Sequence, residues 1–143
     1  MNTKSQDFLP RSAQLGITLL RISLGIMWVA HAQLKLLVFT LPLAAEFFQN
    51  HGFPGFLVYP VYILETVGGV MLILGIYGRQ VSLALIPILL AAASVHIHNG
   101  WVFSNPNGGW EYPAFLLVAS GSIYLVGDGA WAIRRSNRLL LSF

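Results

Sequence analysis

The chain is 143 residues long, and only 9% of it is Asp, Glu, Lys or Arg, against about 25% in ordinary soluble domains. With 56% hydrophobic residues and a mean hydropathy of +0.70, a water-soluble globule is excluded and a single membrane domain uses the whole length. The net charge of +3 does not point to nucleic acid, because the eight basic residues are scattered. The absence of cysteine excludes disulfides, thiolate nucleophiles and cysteine-ligated iron–sulfur or haem groups.

The first apolar span is predicted over residues 15–39. Lys4 and Arg11, an apolar run and then Ala30-His31-Ala32 imitate a secretory signal with its cleavage site. Arg21 interrupts that run, however, and the run continues past residue 35, so the segment is expected to be retained as a helix. At about 100° per residue, Gln14, Arg21, Trp28 and Lys35 recur on one side and His31 lies close to them, a polar and aromatic stripe that must face protein. Residues 41–51 predict a short interfacial helix, with Phe47 and Phe48 dipping into the headgroup boundary and Glu46 and His51 in water.

The second span is predicted over 56–77, or from Pro60 if that proline is the first helical residue. It carries Glu65 and then Gly68, Gly69 and Gly75, small residues that allow close helix approach. A connection of only Gly78-Arg79 forces an antiparallel hairpin into the third span, 80–97, where Pro87 is expected to kink the helix without breaking it. Between 98 and 111 the turn residues Asn105-Pro106-Asn107-Gly108-Gly109 are flanked by Trp101 to Phe103 and by Trp110 to Tyr112, the pattern of an ordered hairpin or lid. A fourth span, 112–133, holds Gly121, Tyr124 and Asp128 on one face. The expected fold class is all-α: an integral membrane four-helix bundle with a short interfacial segment and an ordered outer loop between the third and fourth spans.

Lys4, Arg11, Arg79, Arg134, Arg135 and Arg138 collect at one side of this arrangement, and the two longer connections lack Lys and Arg. Both termini are therefore expected in the cytoplasm. A charge at the centre of a bilayer helix costs roughly 2.5–3.5 kcal/mol on insertion scales, so the interior ionisable residues must find partners. Arg21 with Glu65 is the first expected ion pair, with Asp128 as the competing partner; such a pair can serve to fix helix register and nothing more.

Near the outer face His31, Lys35, Glu46, His51, His96, His98 and Glu111 gather with Trp101 and Trp110, and Trp28 with His31, Lys35, His96, His98, Trp101, Trp110 and Glu111 forms the candidate ligand pocket. Three arrangements fit them. One is an aromatic belt with a snorkelling lysine. A metal site is disfavoured, since His96 and His98 project from opposite helix faces. The third is a polar pocket for a small ligand such as a quinone head group, with Lys35, His31 and His96 as donors and Glu111 as a proton carrier.

Several short motifs occur in a fixed order: Arg21 with Leu24-Gly25, then His31 and Lys35; Gly52-Phe53-Pro54; Glu65-x-x-Gly68-Gly69-x-x-Leu72-x-x-Gly75 and Arg79; His98-Asn99-Gly100 through Gly109-Trp110-Glu111-Tyr112; and Gly127-Asp128-Gly129. In this order the chain resembles the DoxX family of small four-helix membrane proteins over nearly its whole length. Ala32 stands where that family commonly has glycine. The resemblance implies a multi-pass protein of the bacterial inner membrane, related to membrane subunits of thiosulfate:quinone oxidoreductase and to complexes that handle oxidative or thiol stress.

The expected role is a membrane subunit or accessory of a redox system. It has no intrinsic cofactor; a quinone, a redox partner protein, the lipid bilayer and a further copy of the chain are the candidate partners. A small proton- or cation-coupled transporter using Glu65 and Asp128, or a non-catalytic scaffold for a soluble enzyme, are the alternatives.

Overall fold

The computed structural model describes residues 9–136; Lys4 and Arg138, two of the orientation signals, lie outside the described residues. Helix α1 (Arg11–Gln33) continues into a π-helical turn, Leu34–Val38, closed by the Phe39 N–H donating to the Leu34 carbonyl at 3.0 Å. Thr40 turns the chain at φ 65° into α2 (Leu41–Asn50), the short helix expected at the interface. A 3-10 turn, Gly55–Leu57, leads into α3 (Val58–Leu74). Pro60 is thus the third helical residue, where its missing N–H has no intrahelical partner to lose. Helix α4 (Gly78–His96) runs through Pro87 and ends in a 3-10 turn, Ile97–Asn99, and α5 spans Glu111–Val126.

The stretches Arg11–Val38, Gly55–Leu74 and Gly78–Asn99 are each long and apolar enough to cross a membrane, and α5 is a shorter apolar helix. Leu19, Ile26, Ile63, Leu90, Phe115 and Val118 point outward, which hydrocarbon solvates and water does not. The chain is an all-α, multi-pass membrane bundle.

Helix α1 packs chiefly on α3 and α4 on α5, with α3–α4 and α1–α5 contacts closing the bundle. At the α1–α3 crossing the backbones nearly touch: a Cβ on Gly25 would stand 2.6 Å from the Gly69 carbonyl oxygen, and one on Gly69 would stand 2.8 Å from that of Gly25. Without a hydrophobic force between helices in lipid, such close packing is what holds them together. Leu24, Trp28, Leu72, Leu85, Leu89 and Ile123 fill the centre.

Two sequence expectations change here. The fourth helix stops at Val126 and does not reach residue 133. Gly127 (φ 100°) and Gly129 (φ 70°) leave helical geometry, and the chain then bends, with Trp131 also at positive φ (54°), to meet the α3–α4 turn at Arg134. There the Tyr77 N–H donates to the Arg134 carbonyl at 2.9 Å and the Arg134 N–H to the Gly75 carbonyl at 3.0 Å. These bonds occupy backbone groups of the α3–α4 turn that a bilayer cannot solvate. Arg134, read from sequence as a topology signal, also lies over the Tyr77 ring at 4.9 Å.

Nor does Arg21 pair with Glu65. Helix α1 is antiparallel to α3, and Arg21 is level with Leu72 and Ile73, about 10 Å along α3 from Glu65 at 1.5 Å per residue. Its buried guanidinium donates instead to carbonyls: Nε to Asp128 at 2.8 Å, one terminal nitrogen to Leu72 and to Ile73 at 3.0 Å, and the other to Ala130 at 3.4 Å. The Asp128 carboxylate accepts from the Gly78 N–H at 2.7 Å, the Ser136 N–H at 2.6 Å and the Ser136 hydroxyl at 2.9 Å. Arg79 treats α5 as Arg21 treats α3, donating to the Tyr124 and Leu125 carbonyls at 2.8 Å each.

Replacing the guanidinium by Arg21→Met strands these carbonyls in a dry site. The variant should lose about 3 kcal/mol or more, seen as a lowered Tm of the detergent-solubilised protein. Arg21→Lys should recover little of it, because one ammonium cannot reproduce the fork of donors.

Candidate functional site

On α3, Glu65, Gly68, Gly69 and Leu72 form the buried stripe at helical spacing, so Glu65 is carried inward by the same periodicity that buries the glycines. On α1 the equivalent stripe runs Thr18, Arg21, Leu24, Gly25, Trp28 and Ala32. The Ala32 methyl is fully buried and accommodated. Lys35 sits in the π turn at the end of α1, and its Nζ meets both Glu65 oxygens, at 2.8 and 2.6 Å. The side chains are 20% and 4% exposed, respectively. Among the described residues the interior ion pair is therefore Lys35–Glu65.

Around it lies a cavity of about 140 Å3 with Trp28, His31, Lys35, Glu65, His96 and Tyr112 as its polar or aromatic walls and Ile88, Leu89 and Leu116 as apolar ones. Among the described residues four buried side-chain polar atoms have no hydrogen-bond partner, Trp28 Nε1, Ser82 Oγ, Tyr112 Oη and Ser120 Oγ, and of these Trp28 and Tyr112 line this cavity. His31 donates from Nδ1 to the Met27 carbonyl at 2.9 Å and stacks on Tyr112 with centroids 5.3 Å apart. His96 donates from Nδ1 to the Asn107 carbonyl at 3.0 Å. A carbonyl oxygen can only accept, so Nδ1 carries the proton in both rings, and a neutral ring then offers Nε2 as an acceptor.

A larger groove, about 930 Å3, adjoins the cavity along Met27, His31, His96, Tyr112 and Pro113 and is roofed by the 98–111 loop. The loop is ordered as expected: the Trp110 and Glu111 N–H groups donate to the Gly100 and Trp101 carbonyls at 3.2 and 3.1 Å. Trp101 and Trp110 meet edge to face at 4.4 Å. Gly109 admits no side chain, since its Cβ would lie 2.3 Å from the Trp101 oxygen.

Of the residues singled out in the sequence, Trp28, His31, Lys35 and His96 share the cavity, and Trp101 and Glu111 line the groove. Glu111 accepts from the Phe103 N–H at 2.9 Å and so helps to hold the loop. His98 is exposed and lines neither space, and Trp110 packs against Trp101 without lining either. Arg21 and Asp128 belong to the opposite end of the bundle. Among the described residues no three His, Asp or Glu side chains converge on one point. Sequence reasoning missed Tyr112, although it adjoins Glu111 at the first turn of α5. The Lys35–Glu65 pairing had one usable signal: if α3 starts near Pro60, Glu65 lies close to the end of α3 that faces Lys35.

A family model described as DoxX matches residues 16–99, which include Arg21, Trp28, His31, Lys35, Glu65 and His96. A Bacillus subtilis (strain 168) protein named "Putative oxidoreductase CatD" is 28% identical over 118 residues, covering 82% of this chain and 84% of its own length. No solved structure matches the chain significantly.

Removing either member of the ion pair leaves a charge without its partner. Lys35→Met and Glu65→Gln should each cost about 2 kcal/mol, below the roughly 3–5 kcal/mol of a fully dry pair because Lys35 keeps some exposure. The double variant should regain much of the loss in a double-mutant cycle of thermal unfolding. Strictly additive losses would show that the two groups are not coupled.

Proposed function

The chain belongs to the DoxX family, and on that premise we propose that it serves a redox system of a bacterial inner membrane as a small subunit or accessory, holding a quinone head group in the cavity beside Lys35 and Glu65. The observation that carries this reading is the pair of orphaned donors, Trp28 Nε1 and Tyr112 OH, on residues that line one cavity. Each buried donor left unpaired costs about 1–3 kcal/mol. A ring bearing two carbonyl acceptors relieves both.

His31 and His96 complement these donors. With Nδ1 committed to backbone carbonyls, their Nε2 atoms suit hydroxyl protons on the reduced form of such a ring. The Lys35–Glu65 pair lies in the same cavity and gives a carboxylate and an ammonium between which a proton can be held or exchanged. A bound quinone would supply the two-electron carrier that a cysteine-free chain lacks. Electrons then have to arrive from a partner redox protein. The oxidoreductase name of the Bacillus subtilis relative supports the redox assignment.

A transport role is less well supported. The Asp128 carboxylate is taken up by Gly78 and Ser136, and Leu24, Leu72 and Leu85 belong to the packed core of the bundle. A scaffold role leaves the orphaned donors without a purpose.

Calorimetric titration of the purified full-length protein with a tailless dimethoxy-benzoquinone should show saturable binding. Trp28→Phe and Tyr112→Phe should each weaken it about fivefold, the equivalent of about 1 kcal/mol per hydrogen bond. No binding by the native protein, or undiminished binding by both variants, removes the proposal.

A further inference from the structure

A cavity of about 140 Å3 is smaller than the roughly 300–1,000 Å3 in which ligand pockets bury a whole molecule. A molecule that puts its ring there must leave its remainder elsewhere. The adjoining space is the groove of about 930 Å3, whose shared boundary with the cavity is formed by Met27, His31, His96, Tyr112 and Pro113. Beyond that boundary its lining comes from α5, through Phe115 and Val118, and from the loop, through Trp101 and Phe103.

Phe115 and Val118 are 65% and 68% exposed on the outer side of an apolar helix of a membrane bundle, a surface that acyl chains solvate better than water does. The one carboxylate in its lining, Glu111, is turned to the Phe103 N–H.

We infer that this groove holds the apolar tail of the ligand whose ring occupies the cavity, so that the ligand is a membrane-dissolved amphiphile that arrives sideways between α1 and α5. The inference rests on the head-group site proposed above. Moving a tail from lipid into an apolar groove gains little free energy, since both surroundings are equally apolar. The groove therefore supplies direction. It aligns the tail so that the ring meets His31, His96 and Tyr112 at the mouth of the cavity, where the unpaired donors supply the selectivity. A bulk lipid chain could fill the same groove, but it carries no flat ring with two opposed carbonyl acceptors for Trp28 and Tyr112, and so would not compete with a ring.

The test uses the full-length protein in nanodiscs with a benzoquinone whose alkyl tail carries a diazirine, the photolabelled residues being mapped by peptide mass spectrometry. Label should concentrate on Met27, Phe115 and Val118 and should fall on the order of tenfold when an excess of the tailless quinone displaces the ring. Val118→Trp, a change on the lipid-facing side, should reduce the label several-fold while leaving tailless binding unchanged. Phe115→Ala, which widens the groove, should retain tailless binding and groove labelling and so shows that a loss in Val118→Trp comes from obstruction. Label spread over other faces overturns the inference alone, provided the tailless ring still binds. So does groove label that survives the competitor, or equal labelling of these residues by a diazirine fatty acid. Failure of the tailless ring to bind the native protein overturns the inference and the head-group site together.

Discussion

One guanidinium ties the molecule together. Arg21, buried without a carboxylate against it in a direct ion pair, donates to the last carbonyls of α3 and to the backbone at Asp128 and Ala130. The last carbonyls of a helix have no partner within it, and a bilayer offers none. A cation near a helix C-terminus satisfies them and complements the helix dipole. The same side chain thereby joins α1, the end of α3 and the chain that follows α5. The surrounding glycines are the counterpart of this arrangement: a Cβ on Gly75 would lie 2.7 Å from an Arg21 terminal nitrogen, and one on Gly78 would lie 2.6 Å from an Asp128 carboxylate oxygen.

The two ends of the bundle differ in how their polar groups are used. At the hairpin end Arg21, Arg79 and Asp128 have their hydrogen bonds distributed among backbone groups, and Ser136 closes the set through Asp128. That end is built to be static. At the loop end Lys35 and Glu65 satisfy one another, yet Trp28 and Tyr112 each keep a buried donor in reserve beside a cavity. Buried polar groups are normally satisfied, so unpaired ones clustered around a space are where a ligand is to be sought.

The inward stripe of α1 is legible in the amino-acid order alone, since Arg21, Trp28 and Lys35 recur at seven-residue spacing and all three turn toward the bundle. What the spacing does not contain is their depth relative to α3. Pairing Arg21 with Glu65 follows from opposite charge and membership of neighbouring spans. The crossing at Gly25 and Gly69 sets the antiparallel alignment, and that alignment brings Glu65 to Lys35. The fourth span is overextended in the sequence reading for a related reason: Ala130, Trp131, Ala132 and Ile133 continue the apolar run, but Gly127 and Gly129 adopt positive φ and redirect it.

Composition and periodicity alone determined that the chain is an all-α membrane bundle, that the ionisable side chains Arg21 and Glu65 within its spans turn inward, and that the 98–111 segment is an ordered loop. These follow from local rules: the cost of charge in hydrocarbon, helical spacing and turn chemistry. Which charge meets which, where the last helix ends, and that Tyr112 joins Trp28 around one cavity were decided only by the tertiary structure. The first depends on how far α1 slides along α3, set where the Gly25 and Gly69 backbones touch; the second on the positive φ of Gly127 and Gly129; the third on the packing of α5 against α1, all contacts or geometries that amino-acid order does not state.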